Sequence, residues 1–289
     1  MIKTPLSTVI GGAFWTPKAT ILGGTSKTFD QLIKSLFANG EQGFVYDPND
    51  LSTMFQDAAG TVPVTGAGQP VGLILDKSGR NNHAYQTTSS SRPILRKNAT
   101  TGAYYLEFDG SDDFLQTSNI DFTATDKMSL FVGLYMSKSV LQMIMETSTN
   151  YVANVGAFEL NSGEITSGGY VLAYRATNNT NQYSYQPVKP IPRSSVIVGK
   201  INMGKQVYNA EGGVLLRENA TSTDNIYSGS HIGGAFGSYP LYIGRRGGTA
   251  LPFAGHIYSL IGIGRLTTDV ETIALEKLIA KNTGVTLSV

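Results

Sequence analysis

Cysteine is missing from all 289 residues. Its absence excludes disulfide frameworks, thiolate nucleophiles and cysteine-built zinc sites. Charge is scarce too: charged residues make up 15% of the chain, against about 25% in an average soluble protein. The 22 Lys+Arg and 21 Asp+Glu leave a net charge of +1. With no basic run, the chain lacks the positive face that neutralises nucleic-acid phosphates. No stretch approaches the roughly 18 apolar residues that cross a bilayer. The opening Met1-Ile2-Lys3-Thr4-Pro5, followed by Ser7, Thr8, Gly11 and Gly12, makes a poor signal-peptide core. Neither nucleic-acid binding nor membrane insertion is expected. Histidine occurs only at His83, His231 and His256, without the i, i+4 spacing of a helical metal pair. No complete G-x-S-x-G, P-loop or dinucleotide fingerprint is present.

What is abundant is glycine, 33 residues, where roughly 20 would be average for this length. Tyrosine (15) and phenylalanine (12) far outnumber tryptophan (1), and hydrophobic residues reach 41%. That content with little net charge supports a packed core and excludes a disordered chain. The length suits one large all-β domain or two smaller ones.

Residues 1–27 have no sustained period. Gly11-Gly12 and Gly23-Gly24 bracket Ala13-Phe14-Trp15-Thr16-Pro17, which reads as an extended arm. Adjacent Phe14 and Trp15 in such an arm suit an interface anchor, or a fold-back onto the chain's own domain. A short helix over 28–40 follows. Thr28 and Gln31 have capping-box spacing, Leu32, Ile33, Leu36 and Phe37 share a face, and Asn39-Gly40 stops it. A second helical turn is expected after Asp50.

From about 60 to 265 the pattern is β. Strands are expected at 104–108, 114–117, 128–136, 141–146, 170–175, 195–201, 214–217, 241–244 and 256–264, separated by Gly/Asn turns. Met128 to Met136 alternates little, so both its faces should be covered. Many short strands with Gly-rich turns indicate a sandwich or jelly roll. A closing helix begins at the capping box Thr268/Glu271, carries Val270, Ile273, Ala274, Leu278 and Ile279, and ends near Gly284. It should pack over one end or edge of the sandwich.

Three stretches occur in order: Asp76-Lys77-Ser78-Gly79-Arg80-Asn81-Asn82-His83-Ala84; Leu106-Glu107-Phe108-Asp109-Gly110-Ser111-Asp112-Asp113-Phe114; and Ile243-Gly244-Arg245, then Phe253-Ala254-Gly255-His256-Ile257, before the closing helix. Together they resemble the laminin-G-like, concanavalin A-like jelly-roll domains over roughly 60–289. The resemblance implies a mostly β jelly-roll sandwich with a short N-terminal and an amphipathic C-terminal helix. A leader running from Leu36 through Tyr46-Asp47-Pro48 and Met54-Phe55-Gln56-Asp57 to Gly72-Leu73-Ile74-Leu75-Asp76 resembles that of bacteriophage and prophage proteins carrying such a domain, which are usually tail-associated or otherwise virion-borne. It implies an arm and helix, 1–40, docking on other virion proteins or trimerising, ahead of a jelly roll at 41–289. The particle, assembled in the host cytoplasm, is then the expected location, and Phe14, Trp15, Leu32, Leu36 and Phe37 are the expected partner contacts.

Candidate chemistry is sparse. Glu107-Phe108-Asp109-Gly110-Ser111-Asp112 nearly matches the E-x-D-x-x-E signature of retaining glucanases of the same fold, and alternation puts Glu107 and Asp109 on one strand face. Asp112 is one carbon short for the third position. Asp109, Asp112 and Asp113 form a set that could take Ca²⁺, or cap a tight turn through backbone N–H groups. Asn181, Gln182, Tyr183 and Tyr185 within 178–186, with Tyr239 in a second Tyr/Gly/Ser loop, pair aromatic faces with amides, as sugar recognition requires. A solvated loop or a subunit contact would use the same residues. The expectation is a surface-displayed, non-enzymatic virion protein without a cofactor that binds a host-surface glycan or decorates the particle. Its rivals are a glycosidase using Glu107 and Asp109, and a ligand-free assembly protein.

Overall fold

The computed structural model describes residues 27–162, 169–204, 213–222, 226–228 and 233–288; Phe14 and Trp15 lie outside them. The chain divides into two units, Met1–Leu32 and Ile33–Val289. In the first, Thr28 and Gln31 form the expected reciprocal cap, with the Gln31 amide donating to Thr28 Oγ1 at 3.3 Å and the Thr28 amide to Gln31 Oε1 at 3.0 Å. Helix α1 (Phe29–Leu36) runs on from it.

The strands are β1 (Gly43–Tyr46), β2 (Met54–Phe55), β3 (Leu73–Ile74), β4 (Ala84–Tyr85), β5 (Ile94–Lys97), β6 (Tyr104–Asp109), β7 (Leu115–Asp121), β8 (Lys127–Met136), β9 (Gln142–Thr147), β10 (Phe158–Ser162), β11 (Tyr170–Arg175), β12 (Asn181–Tyr185), β13 (Arg193–Asn202), β14 (Gly213–Glu218), β15 (Thr221–Ser222), β16 (Ile226–Ser228), β17 (Ser238–Ile243) and β18 (Ala254–Ile263). They form a ten-stranded sheet, β16-β12-β11-β10-β9-β17-β7-β4-β3-β2, and an eight-stranded sheet, β15-β14-β13-β8-β18-β6-β5, in which β1 also pairs with β18. All the strand pairings within the two sheets are antiparallel. The fold is the expected mostly β sandwich. The turn expected after Asp50 is a 3₁₀ turn, Leu51–Thr53, leading into β2.

One core fills the space between the sheets, built from alternate residues such as Leu106 and Phe108 of β6, Leu130, Val132 and Leu134 of β8, and Tyr170, Leu172 and Tyr174 of β11. The opposite face of β8 carries Ser129 and Phe131, both 0% exposed. Helix α2 (Asp269–Thr283) covers that face, lying over β13, β8 and β18. It therefore sits on a sheet face, not at an end or edge. Gly133 makes this fit: a Cβ there would stand 2.5 Å from Ile279 Cγ2. The helix buries Leu275, Glu276 and Ile279 and leaves Val270 81% exposed. It is rotated from the expected face because Glu276 turns inward to meet Arg217 at 3.0 Å.

The family-like stretches meet in space. Gly244 has φ +88, and a Cβ on it would lie 2.4 Å from the Phe108 ring; the Phe108 and Phe253 rings are 6.0 Å apart. Asp76 is a hub. Its Oδ1 accepts the Val45 and Ser78 amides, both at 2.8 Å, and its Oδ2 accepts Ser78 Oγ at 2.6 Å and the Asn82 amide at 3.0 Å. His83 Nδ1 accepts the Asp76 amide at 3.0 Å, a structural role.

Leu32, Leu36 and Phe37, expected as partner contacts, are 4%, 0% and 5% exposed. Leu36 and Phe37 belong to the sandwich unit: the Leu36 carbonyl accepts from Arg265, the Phe37 carbonyl from Arg80, and the Phe37 ring abuts Gly43. This corrects their assignment, since buried side chains cannot anchor a partner.

Asp76→Ala strands three buried backbone N–H groups and should cost about 3 kcal/mol. A loss of unfolding free energy in urea of less than a third of that would remove Asp76 as the hub.

Candidate functional site

The sequence around 170–185 alternates large and small residues, and the pleat sorts them. Tyr170, Leu172 and Tyr174 enter the core, while Val171, Ala173 and Arg175 face outward on the ten-stranded sheet. Register sets Val171 opposite Tyr185, Ala173 opposite Tyr183 and Arg175 opposite Asn181. The two tyrosines thus stand beside short neighbours, their rings 6.4 Å apart and tilted by 44°. Tyr183, Tyr185 and Tyr239 all pack, half-buried, against Tyr151, Ala157, Val171 and Ala173. The Tyr239 hydroxyl donates to the Val155 carbonyl at 2.8 Å. Asn181 accepts Arg175 Nη1 at 2.7 Å.

Four of the five expected ligand contacts therefore share this surface. Gln182 does not. It pairs with Tyr174, is 2% exposed and donates to Thr180 Oγ1. The stretch 178–186, expected as a loop, contains strand β12, because alternation between inward Gln182 and Ser184 and outward tyrosines lets it pair with β11.

Beside the tyrosines lies a charged group that the sequence reading missed. Glu146 and Glu159 sit opposite each other on β9 and β10, 0% and 1% exposed. Arg246, from the turn after β17, meets Glu146 Oε2 at 3.0 Å and also bonds Glu159 Oε2. Its guanidinium lies 6.0 Å from the Tyr151 ring centre. The Tyr151 amide donates to Glu146 Oε1 at 2.6 Å, and Asn161 Nδ2 to Glu159 Oε1 at 2.7 Å. Burial pushes the Glu146 carboxyl up, against the pull of the Tyr151 amide and Arg246. Burial also opposes the Arg246 charge, but the two carboxylates outweigh it and raise its pKa. The missed signal was a glutamate amid the apolar run Met143-Ile144-Met145-Glu146, since a lone acid there needs a cation.

A second surface lies on the outer face of the eight-stranded sheet. His256 of β18 is stacked between Tyr105, with ring centres 4.0 Å apart, and Tyr135, at 4.6 Å. Burial lowers the His256 pKa, while Glu107 opposes this and Arg96 adds to it. Glu107 and Asp109 are outward residues of β6, as alternation requires. Glu107 Oε2 takes Arg96 Nε at 2.7 Å, and its Oε1 is 3.9 Å from His256 Nε2. The Glu107 carboxylate is thus already engaged by Arg96.

Asp109 Oδ1 accepts the Ser111 amide at 2.8 Å and the Asp112 amide at 3.4 Å; Asp113 Oδ2 accepts the Asp109 amide at 3.0 Å; Asp112 Oδ2 accepts Ser91 Oγ at 2.6 Å. Asp109 and Asp113 thus cap backbone N–H groups of the turn, and Asp112 ties it to Ser91. The oxygens of all three also lie within 4.8 Å of one another, close enough for one hard cation. Burial raises the Asp113 carboxyl from 3.8 to about 6, opposed by the Asp109 amide and reinforced by the charges of Asp109, Asp112 and Glu107.

No family model matches the chain, and no curated protein does. Solved structures do, at the level of fold. The ligand-binding domain of botulinum neurotoxin serotype D, in complex with N-acetylneuraminic acid, aligns with TM-score 0.55 and 10% identity over 85% of this chain and 52% of that one. The binding domain of botulinum neurotoxin DC, in complex with SialylT, gives 0.51 and 12% over 71% and 48%. A Trypanosoma rangeli sialidase in complex with sialic acid gives 0.51 and 10% over 90% and 34%. The chain spans about half the length of the toxin domains it matches. These likenesses show the β-sandwich fold.

Between pH of about 4 and about 6 the folded protein holds the Asp113 proton that the unfolded chain releases. The Asp113 contribution to stability should therefore rise as pH falls through this window and vanish as pH rises through about 6. Melting temperatures of wild type and Asp113→Asn compared across the window test this, and parallel curves would refute it. Because the turn accounts for all three carboxylates, excess chelator should leave the melting temperature unchanged. A clear drop would assign the cluster to a cation.

Proposed function

We propose that this chain is a non-catalytic glycan-binding module carried on a virion. The observation that carries the glycan reading is the convergence of Tyr183, Tyr185 and Tyr239 on one outward sheet face, with Asn181 at its border. Tyrosine rings stack on the C–H faces of sugars, and amides bond their hydroxyls. The bound sugars named for the neighbouring folds support the same reading. The absence of a catalytic assignment rests on Glu107 facing Arg96 and on Asp109 serving the turn.

The virion setting rests on the resemblance of the 36–76 leader to that of phage and prophage proteins carrying a jelly-roll domain. In that setting the arm with Phe14 and Trp15 attaches the module to other virion proteins, and a homotrimer, the particle as location and assembly in the host cytoplasm follow from the same resemblance.

The full chain should bind members of a glycan array, and Tyr183→Ala with Tyr185→Ala should weaken binding about tenfold or more. A chain that binds no glycan, or a double variant that binds as well as wild type, would overturn the reading. Incubation with a bound polysaccharide should release no reducing ends. Release that disappears in Glu107→Gln would convert the module into a glycosidase.

A further inference from the structure

The charges on the tyrosine face are not all spent. Arg246 is neutralised by two buried carboxylates. Arg175, on the same face, has a different situation. Its Nη1 donates to Asn181 Oδ1 at 2.7 Å, and among the described residues its buried Nε has no hydrogen-bond partner and its guanidinium no ion pair. Other arginines among the described residues meet carboxylates, as Arg193 does with Glu218 at 2.9 Å, or lodge in backbone carbonyls, as Arg92 does.

Arg175 is nonetheless held in place. It is half-buried, and strand register fixes it directly across from Asn181. Asn181 is two residues from Tyr183 on the same strand, a separation of roughly 7 Å, which is within the span of one sugar ring and its substituents. Among the described residues, Nη1 is the guanidinium nitrogen with a hydrogen-bond partner, Asn181 Oδ1. A guanidinium presents such donors in a planar fork that matches a carboxylate, and a charge-assisted bond is worth about twice a neutral one.

We infer that Arg175 is the anchor for a carboxylate on the saccharide, so that this face takes an acidic sugar in preference to a neutral one. The inference rests on the glycan reading above and adds the substrate class to it. Asn181 is then a positioning residue, orienting the guanidinium. Tyr183 supplies the stacking surface next to it.

The test uses the full chain and four probes: an oligosaccharide ending in a uronic acid, one ending in sialic acid, and the carboxyl methyl ester of each. Calorimetry at low salt should give about tenfold tighter binding of an acid than of its ester, and the arm that shows it identifies which acid is taken. Arg175→Gln should abolish the preference, so that acid and ester bind the variant equally. Arg175→Lys, which keeps the charge but loses the fork, should fall between wild type and Arg175→Gln. Raising the salt should weaken binding of the acid only. Equal binding of acid and ester by the wild-type chain overturns the inference and leaves the glycan reading standing, and this comparison holds even if a variant fails to fold. Retained acid preference in a folded Arg175→Gln overturns it as well. Binding of none of the probes, and of nothing on a wider array, overturns both.

Discussion

The approach of α2 to Gly133 decides which surfaces of this sandwich remain for anything else. With 2.5 Å between a notional Cβ and Ile279, only glycine lets the helix lie flat on β8, and the helix then seals one face of the eight-stranded sheet as the core seals the other. Two sheet surfaces are left beside it: the outer face of the ten-stranded sheet, and the strip of β6 and β18 that carries Tyr105 and His256. The first has the tyrosines and Arg175, bonded to Asn181. The second has rings stacked against one another and a carboxylate already matched to Arg96.

A chain with few charges uses some of them inside. Glu146, Glu218 and Glu276 are all 0% exposed, and each faces an arginine. Such pairs contribute little net stability over apolar replacements, but removing one partner leaves a buried charge that costs several kcal/mol. They act as registration marks. A slip of one residue between β9 and β10 would turn Glu146 or Glu159 into the core, away from Arg246.

Much of the architecture was legible in the sequence. Strands such as Tyr170–Arg175 and the long β8, the caps at Thr28 and Thr268, and the coverage of both faces of β8 all follow from local period and capping chemistry. Strand β12 was hidden because Asn181-Gln182-Tyr183-Ser184-Tyr185 buries polar residues, so its alternation carries no hydrophobic signature. The burial of Leu36 and Phe37 was misread because an apolar helix face looks the same whether its cover comes from another chain or from its own. The tyrosines of the candidate site could be named from composition. The Glu146–Glu159–Arg246 group and Arg175 could not, because cross-strand register joins residues 100 positions apart in the first case and pairs two local strands in the second.

The way β18 is covered along one edge has a kinetic meaning. Two separate strands share that edge: β6 pairs with Ala254–Ile257 and β1 with Leu260–Ile263. A single long strand would leave only with the whole sheet, whereas a strand of four residues can detach alone. Opening of this kind costs less than global unfolding, and the Asp76 carboxylate, which grips Val45 directly, sets that cost. The far half of β18 thus depends on a strand that Asp76 ties down, while the half beneath His256 depends on β6.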